Sequence, residues 1–391
     1  MPPTVESAAR AVRSALGAAA RGLVDRDVLV DLVALAAVAG EHLLVLGPPG
    51  TAKSQAVRRV SRALGGRYFE YLLGRFTEPS EIVGPIDLRR LRDGVIETQT
   101  GGMLPEAEIA FLDEVFLGST AILNTLLSLL NERTFRRGAT ALAVPLRVCV
   151  GAANHLPDDE MLAAFADRFL LRCFVAPVGD AQLEELLEGG WRVERAAEAE
   201  AASIADLDAL AAAARAAELA AIRPQLAEAV RMLRAAGIAL TDRRVVKLQR
   251  LVAAAAALDG RTAATDADLW PIVYAVPTAE AQAQAREVLR PILAASANAA
   301  LGAAAADASL SPPARAARLV DAARALLAAG PDGEPAVRRL QLEGLAREID
   351  AGFAADARPA ALAEARAAIV AALATPGPAE RAEPAEPAEP A

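Results

Sequence analysis

Short apolar runs alternate with amphipathic stretches along residues 43–175. Apolar runs bounded by polar and glycine positions predict buried strands, and the helical spacing of apolar positions between them predicts helices. The predicted strands are 43–46, 67–72, 108–112, 146–152 and 169–175, and the predicted helices are 53–64, 119–132 and 159–166. This alternation is typical of an α/β domain whose parallel sheet carries helices on both faces.

Two segments interrupt the alternation. In GPIDLRRLRDGVIETQTGG (84–102), two short apolar–polar runs flank Asp93-Gly94, a dipeptide typical of tight hairpin turns. In TFRRGATALAV (134–144), a second hairpin is predicted to turn near Arg137-Gly138. We therefore expect two β-hairpins within the sheet domain.

Helical patterns flank the sheet domain on both sides. Residues 5–39 predict two helices, and after Pro177 the pattern is helical to about residue 374. Predicted breaks lie near Gly189-Gly190, Ala236-Gly237, Gly260, Pro312-Pro313 and Gly330-Pro331. The expected organisation is an α/β domain over 1–178, an all-α domain over 179–298, a further helical segment over 299–374 with two or three helices after residue 310, and a disordered Pro/Glu/Ala tail over 375–391.

The stretch GPPGTAKS at 47–54 follows the first predicted strand and opens the first predicted helix of the sheet domain. A glycine-rich turn in this place lets backbone N–H groups surround phosphates, and the positive end of the helix dipole faces the same anion. Lys53 would reach the β- and γ-phosphate oxygens, and Ser54 would present its hydroxyl to a magnesium ion. Ala52 stands where the usual pattern has its last glycine, so the motif alone leaves open a chance Gly/Pro turn.

Asp113 and Glu114 end the apolar run of IAFLDE. A buried strand that ends in a carboxylate delivers it to the edge of the sheet, where Asp113 can hold the magnesium shell. Glu114 is then placed to orient or deprotonate an attacking water. Most isolated Asp-Glu pairs only start a solvated helix, but the two motifs in this order predict a protein that binds and hydrolyses a nucleoside triphosphate with magnesium.

Composition narrows the class of protein. With 391 residues, a formal charge of −9 and a pI of about 5.1, the chain lacks the basic field of a bulk nucleic-acid binder. Its cysteines, Cys149 and Cys173, lie in apolar runs, which indicates buried thiols in a reducing compartment. His42 and His155 are too few for a histidine-based metal site or triad. The N-terminus does not read as a secretory signal and no apolar run could span a bilayer, so we expect a cytoplasmic protein.

Three more positions fit an active site through their order along the chain. Asn154 follows an apolar run, which would aim its amide at the γ-phosphate or the water, although an Asn that bonds its own loop is equally common. Asp167-Arg168-Phe169 follows a short predicted helix, where a surface ion pair is the commoner explanation. Thr241-Asp242-Arg243-Arg244 opens a helix, where an N-cap followed by solvated arginines is the commoner explanation.

Over about residues 20–275, the sequence resembles the MoxR group of AAA+ ATPases, and within it the RavA-like branch. The segments that carry the resemblance are GLVDR, GPPGTAKS, FEYLLGRFTEPSEIVGP, GGMLPEAEIAFLDE, AILNTLLSLLNERTFR, AANHLPDDE, DRFLLR and TDRR. Members of this family tolerate a residue other than glycine before the phosphate-loop lysine, in keeping with Ala52. The resemblance implies an AAA+ P-loop fold in which the hairpin at 84–102 is the helix-2 insert, followed by an all-α lid.

The resemblance also assigns roles to the residues of the phosphate site. Walker A would contact ATP through Gly47, Pro49, Gly50, Thr51, Ala52, Lys53, Ser54 and Gln55. Walker B corresponds to Asp113 and Glu114, so that Ser54 and Asp113 would hold Mg²⁺ and Glu114 would be catalytic.

Further roles follow for residues outside these two motifs. Asn154 corresponds to sensor 1, Arg168 to the arginine finger that enters the neighbouring subunit's site, and Arg243 to the sensor 2 arginine of the lid. Val24 would lie near the adenine, and Arg133 is a further candidate for a contact across the subunit boundary.

The function that the resemblance implies is ATP-driven remodelling or activation of a protein partner by a hexameric ring. ATP would bind between subunits, and hydrolysis would move the lid and the inserted hairpins, which then act on the partner. Such ATPases are commonly paired with a von Willebrand factor A protein. RavA-like relatives can carry a β-rich domain after the lid, but this sequence continues with alanine-rich helices and an acidic Pro/Glu tail. That departure removes the basis for a partner recognised through the β-rich domain.

Two other functions fit parts of the sequence. Helix-2-insert relatives include DNA helicases, and Arg89, Arg90 and Arg92 could meet phosphates in a pore, but the acidic total charge argues against a nucleic-acid partner. A nucleotide-switched scaffold with little turnover is the other alternative. The intact Asp113-Glu114 pair and Arg168 disfavour it.

Overall fold

The computed structural model describes residues 3–179, 182–193, 202–309, 316, 319–320, 323–324, 326–328, 335–353 and 358–374. Contacts divide the chain into two compact units. Met1–Pro177 and Gly189–Ser309 form one unit, and Val178–Glu188 and Leu310–Ala391 form the other. The domain boundaries predicted from the sequence at 178, 298 and 374 stay predictions.

The elements are numbered in chain order. The strands are β1 (Leu43–Leu46), β2 (Tyr68–Leu72), β3 (Ile109–Asp113), β4 (Thr134–Arg137), β5 (Thr140–Ala143), β6 (Val148–Ala153) and β7 (Leu171–Phe174). The helices are α1 (Val5–Ala20), α2 (Asp27–Ala39), α3 (Lys53–Leu64), α4 (Pro79–Val83), α5 (Leu88–Arg92), α6 (Thr120–Glu132), α7 (Glu160–Ala166), α8 (Leu183–Val193), α9 (Ile204–Ala216), α10 (Arg223–Ala235), α11 (Asp242–Leu258), α12 (Pro271–Tyr274), α13 (Ala279–Val288), α14 (Arg290–Leu293), α15 (Gly302–Ser309), α16 (Pro335–Gly352) and α17 (Ala360–Ala374).

The central sheet is parallel throughout, in the order β2-β3-β6-β1-β7. Leu43 of β1 lies opposite Val150 of β6 on one side and Leu171 of β7 on the other. The carboxyl ends of β1, β3 and β6 therefore lie together at one edge of the sheet, which is where ligands bind in folds of this kind. The five predicted strands all occur, and their ends differ from the prediction by at most two residues. The predicted α/β class is confirmed.

Helix α2 lies at the centre of the larger hydrophobic core. Its sequence is apolar almost all round, and its residues from Leu29 to Val38 are buried, which is typical of a helix enclosed on every side. Helices α1, α9, α11 and α15 pack against it, and it also contacts β1, β6 and β7. The helical region after residue 189 therefore packs directly on the sheet domain within the first compact unit.

The second compact unit has a small core of its own. Helices α16 and α17 pack against each other around Ile349, Leu362 and Ile369, which are fully buried. Asp350 accepts hydrogen bonds from Arg358 and Arg366 at the edge of this core. The described residues between 316 and 328 are also helical, and the number of helices after residue 310 stays a prediction.

The insert, defined as residues 84–102, does not form the predicted two-stranded hairpin. It contains helix α5 where the first hairpin strand was expected. Asp87 explains the difference, because its carboxylate accepts hydrogen bonds from two N–H groups of the first turn and so caps the helix. Asp93-Gly94 then ends this helix, with Gly94 at a φ of 77°, instead of forming a hairpin turn.

The predicted hairpin at 134–144 is confirmed as β4 and β5, and the insert contacts it. An antiparallel bridge between Ile86 and Thr98 closes the insert. The N–H of Ala139 donates to the carbonyl oxygen of Ile96 at 2.7 Å, and the N–H of Thr98 donates to Oγ1 of Thr140 at 2.8 Å. Only the base of the insert is held in this way, because every residue from 88 to 94 is exposed.

The predicted helix breaks have mixed outcomes. Those at Ala236-Gly237 and Gly260 are confirmed, because α10 ends at Ala235 and α11 at Leu258. The break at Gly189-Gly190 is wrong, since both glycines lie inside α8. Gly189 serves close packing instead, because a Cβ there would lie 2.8 Å from the carbonyl oxygen of Gly22. Pro312-Pro313, Gly330-Pro331 and the tail 375–391 lie outside the described residues.

The carboxyl group of Asp31 is buried within the core and caps a helix that is distant in sequence. It lies on α2 and accepts a hydrogen bond from the N–H of Ala304 at 3.0 Å, in the first turn of α15. Burial raises the pKa of Asp31 to about 7, against the hydrogen bonds from Ala304 and Ala303, and the charge of Asp27 raises it further. The group is therefore protonated in the folded chain over a pH range in which the unfolded chain carries a carboxylate.

This shift predicts a pH dependence of stability. Between about pH 4 and 7 the folded state binds the extra proton, so this group lowers the free energy of unfolding as the pH rises, by about 3 kcal/mol from pH 5 to 8. Asp31→Asn keeps an oxygen that can accept from Ala304 but does not titrate. Chemical unfolding at pH 5, 6, 7 and 8 should show the variant gaining stability relative to wild type as the pH rises. A difference that does not change with pH would contradict the shift.

Candidate functional site

The loop from Gly47 to Ala52 leads from the end of β1 into α3. Only glycine fits at position 47, because a Cβ there would lie 2.1 Å from the carbonyl oxygen of Val175. Gly50 and Ala52 have left-handed φ angles of 79° and 59°. For alanine this conformation costs on the order of 1 kcal/mol, so the surrounding structure must hold it in place. The loop ends where α3 begins, and the first N–H groups of that helix have no partner within the helix.

A pocket of about 340 Å³ lies at this loop and at the carboxyl ends of β3 and β6. The pocket is lined by Pro49, Gly50, Thr51, Ala52, Lys53, Ser54, Gln55, Asp113, Glu114 and Asn154. It combines the N-terminus of a helix, an ammonium group, a hydroxyl and two carboxylates. Such a set suits a polyphosphate together with a cation.

Lys53 is the cation of this pocket. Its Nζ donates to the carbonyl oxygens of Gly47 at 2.7 Å and Pro48 at 2.9 Å, and its side chain is largely buried. Burial lowers the pKa of Lys53, while the charges of Asp113 and Glu114 raise it. The ammonium group therefore lies between the loop and the two carboxylates, where an anion in the pocket would meet it.

Asp113, Glu114 and Asn154 form a hydrogen-bonded group on neighbouring strands. Strand β3 ends at Asp113, whose Oδ1 accepts from the N–H of Glu114 at 3.0 Å. Nδ2 of Asn154, just after β6, donates to Oε1 of Glu114 at 3.1 Å. Asn154 thus fixes one carboxylate oxygen of Glu114, and the other remains available for a water molecule. Ser54 and Asp113 offer the oxygen ligands that Mg²⁺ prefers, so the residues present fit this ion.

The loop before α2 contains the predicted adenine contact and a residue that sequence reasoning missed. Val24 is buried here, in the segment GLVDR. Arg26 of the same segment is 3 % exposed, and its guanidinium donates to the carbonyl oxygens of Thr51, Asp25 and Ala176. The only sequence signal was the motif itself, because the partners are backbone oxygens, and those of Thr51 and Ala176 are remote along the chain.

Arg168 and Arg243 do not line the pocket of their own chain. Arg243 is exposed at the start of α11, and Arg168 follows α7. Burial lowers the pKa of Arg168, and the positive charge of Arg243 lowers it further, which indicates that the two guanidinium groups lie near each other. The negative charge of Asp167 raises the pKa of Arg168. The carboxylate of Asp167 also has a second partner.

The hydrogen-bond partner of Asp167 is Arg244, a second buried arginine that the sequence analysis did not single out. Its Nε donates to Oδ1 of Asp167 at 2.7 Å, and its other nitrogens donate to the carbonyl oxygens of Phe169, Leu170 and Ala275. Arg244 therefore fixes the segment that carries Arg168 to the helix that carries Arg243.

The family comparison decides the identity of the chain. Residues 10–212 match the family model described as the MoxR domain in the MoxR-vWA-beta-propeller ternary systems. The chain belongs to the MoxR family of AAA+ ATPases. The match contains the phosphate loop, Asp113, Glu114, Asn154 and Arg168, whereas Arg243 lies beyond it. The RavA-like branch stays a prediction.

The chain is also similar to curated proteins and to a solved structure. An uncharacterized protein of Methanocaldococcus jannaschii is 36 % identical over 244 residues, which cover 61 % of this chain and 64 % of that protein. The chaperone MoxR1 of Mycobacterium tuberculosis is 26 % identical over 156 residues, covering 39 % of this chain and 41 % of that protein. A crystal structure of a candidate ATPase from Cytophaga hutchinsonii has the same fold, with a TM-score of 0.59 at 17 % identity over 73 % of this chain and 94 % of that one. The chain spans less than two thirds of the length of the curated relatives that it matches.

Two predictions about this MoxR chain can be compared with its structure. Nη2 of Arg133 donates to the carbonyl oxygens of Gly40 at 2.9 Å and Arg147 at 3.3 Å. Nη2 is thus bonded within its own subunit, and the candidate contact of Arg133 across the subunit boundary stays a prediction. Within the described ranges, no helix has both the length and the apolar character needed to cross a membrane.

Proposed function

We propose that this chain hydrolyses ATP with Mg²⁺. The observation that carries the proposal is the pocket that collects Lys53, Ser54, Asp113, Glu114 and Asn154 at the phosphate loop. Lys53 and the loop N–H groups would bind the phosphates, and Ser54 and Asp113 would hold the ion, which would neutralise charge that develops on the phosphate oxygens. Glu114, held by Asn154, would accept the proton of the attacking water.

The test is phosphate release by the full-length chain. Release should require both ATP and Mg²⁺, and Lys53→Ala should abolish nucleotide binding, because it removes the ammonium group of the pocket. Nucleotide binding that is unchanged in Lys53→Ala would contradict the assignment of the phosphate site. Binding without turnover would instead support the nucleotide-switched scaffold.

We propose further that the complete site forms between copies of this chain in a hexameric ring. Arg168 and Arg243 lie near each other, carry like charge and stand outside the pocket of their own chain. Two guanidinium groups in this arrangement suit a phosphate supplied by a second copy. A sensor 2 role within the same subunit fits less well, since Arg243 does not line that pocket.

The proposed partner is a von Willebrand factor A protein, with a protein client that the ring remodels or activates. The matching family model is named for ternary systems in which a MoxR domain occurs with a vWA component. The cytoplasmic location expected for this machine is supported by Cys149 and Cys173, which are both free and buried.

The insert is the proposed element that couples hydrolysis to the partner. Its helix α5 buries none of its residues and exposes Leu88, Leu91 and three arginines. Replacing residues 88–95 by a Gly/Ser linker should leave the melting temperature and ATP binding nearly unchanged, because the contacts of Ile96 and Thr98 with the hairpin remain. The same change should remove any stimulation of turnover by the partner. A large loss of stability, or stimulation that is unchanged, would contradict this role.

A nucleic-acid motor is the second candidate, because Arg89, Arg90 and Arg92 are all exposed on α5. Arg90 is bonded to Glu97 at 2.6 Å, which leaves less positive charge for phosphates. Salt-dependent binding of single- or double-stranded DNA that disappears with the linker variant would favour this candidate.

A further inference from the structure

Arg26 joins three segments that surround the phosphate loop. Its Nε donates to the carbonyl oxygen of Thr51 at 2.7 Å, its Nη2 to that of Ala176 at 2.9 Å, and its Nη1 to that of Asp25. Thr51 belongs to the phosphate loop, Ala176 follows β7, and Asp25 precedes α2. One buried side chain therefore connects the loop that holds Val24 to the loop that would hold the phosphates.

The bond to Thr51 determines the direction of the next N–H group. In a planar trans peptide, the C=O of one residue and the N–H of the following residue point in opposite directions. Arg26 draws the Thr51 carbonyl toward the protein interior, so the N–H of Ala52 points the opposite way. Ala52 lines the pocket and has a left-handed φ of 59°, a conformation that an alanine keeps only when it is held.

The charge of Arg26 is also poorly balanced within the protein. Among the described residues, it forms an ion pair with Oδ2 of Asp25, which is 3.7 Å away on a side chain that is 60 % exposed, whereas the guanidinium is buried. Arginine keeps its proton in proteins, and a buried charge is costly unless it is paired. The Nε of Arg26 lies 2.7 Å from the carbonyl oxygen of Thr51, so its positive charge lies directly behind the phosphate loop.

We infer that Arg26 is a positioning residue of the nucleotide site, which holds the Thr51–Ala52 peptide toward the phosphates and adds a fixed positive charge behind the loop. This inference rests on the proposed function. The contribution of Arg26 then grows with the number of phosphates on the ligand, because both the aimed N–H group and the charge act on phosphate oxygens. A residue that only stabilised the fold would affect all nucleotides equally.

The experiment measures the affinities of ATP, ADP and AMP for the full-length chain by titration calorimetry. Arg26→Gln should lower the affinity for ATP by about 10- to 100-fold, as expected for loss of a charged hydrogen-bonding group. It should lower the affinity for ADP by less and the affinity for AMP by no more than about twofold. The matched control is Arg59→Gln, which also removes one positive charge and one bond to a carbonyl oxygen, that of Ala18, but touches neither the loop nor the pocket. It should leave all three affinities within about twofold of wild type.

A second variant leaves the buried guanidinium and its bonds to carbonyl oxygens in place. Asp25→Asn removes the carboxylate that partly neutralises Arg26, and asparagine tolerates the left-handed φ of 55° at this position. It should strengthen ATP binding relative to AMP by about two- to fivefold. Thermal unfolding of each variant shows whether the chain is folded.

The outcomes separate the inference from the proposed function. Equal losses for the three nucleotides in folded Arg26→Gln, or no loss, would overturn the inference, as would an unchanged ATP-to-AMP ratio in Asp25→Asn. If Arg26→Gln does not fold, the ratio of ATP affinity to AMP affinity in Asp25→Asn alone tests the inference. If the wild-type chain itself binds no nucleotide, the proposed function fails instead.

Discussion

Replacing Arg168 by alanine should lower ATP turnover by the assembled protein by about 10³- to 10⁵-fold, the range found for arginine fingers. The effect is expected because Arg168 stands outside its own pocket with Nε buried, and this Nε has no hydrogen-bond partner among the residues described. ATP binding should remain, since Lys53 and the phosphate loop are untouched. Steady-state phosphate release and nucleotide titration measure the two effects separately. Arg231→Ala, at an exposed position of α10, is the control and should hydrolyse ATP as wild type does.

Mixing variants tests whether Arg168 acts on a second copy. Arg168→Ala and Lys53→Ala should each be inactive alone, for different reasons. When they assemble together, some boundaries pair an intact Arg168 with an intact phosphate loop, so activity should return. Absence of recovery in rings shown to contain both variants would exclude an action between subunits, and normal turnover by Arg168→Ala would exclude the role altogether.

Glu114→Gln should reduce turnover by about 10²-fold or more while ATP binding is kept, as expected for loss of a general base. This substitution should not disturb the hydrogen bond from Asn154, because glutamine retains the side-chain oxygen that accepts it. The geometry of the pocket is then preserved and only the basic carboxylate is lost. Glu228→Gln, at an exposed position on α10, serves as the control. Hydrolysis at the wild-type rate by Glu114→Gln would show that another group accepts the proton.

Much of the fold could be predicted from the sequence because its strongest signals are local. Buried parallel strands leave short apolar runs, and the loop 47–54 marks both the end of β1 and the start of α3. Most residues of the pocket were predicted for the same reason, because they belong to two contiguous motifs that follow strands at one edge of the sheet, whereas Asn154 was selected only by its order along the chain.

Two predictions were wrong because another local preference of the sequence was stronger than the one on which each prediction relied. Asp93-Gly94 suits a hairpin turn, but Asp87 and a run of good helix formers favoured a short helix before it. Gly189-Gly190 suits a helix break, but close packing on Gly22 explains a glycine there equally well.

Arg26 and Arg244 were missed for a different reason. Their partners are mainly carbonyl oxygens, which every residue carries, and Ala176 is 150 positions from Arg26. A sequence reveals complementary side chains but gives no sign of a backbone atom that needs a donor. Buried arginines bonded to carbonyls therefore become visible only when the chain is folded.

The alanine at position 52 has a consequence for the entropy of binding. Alanine reaches far fewer backbone conformations than glycine, so a loop with Ala52 samples a narrower ensemble than one with the usual glycine. The strain of its left-handed φ is present whether or not the pocket is filled. A glycine at this position would lose conformational freedom when the loop closes around an anion, whereas Ala52 has little of that freedom to lose. The strain at Ala52 therefore lowers the stability of the folded chain, and the loop loses less conformational entropy when an anion binds.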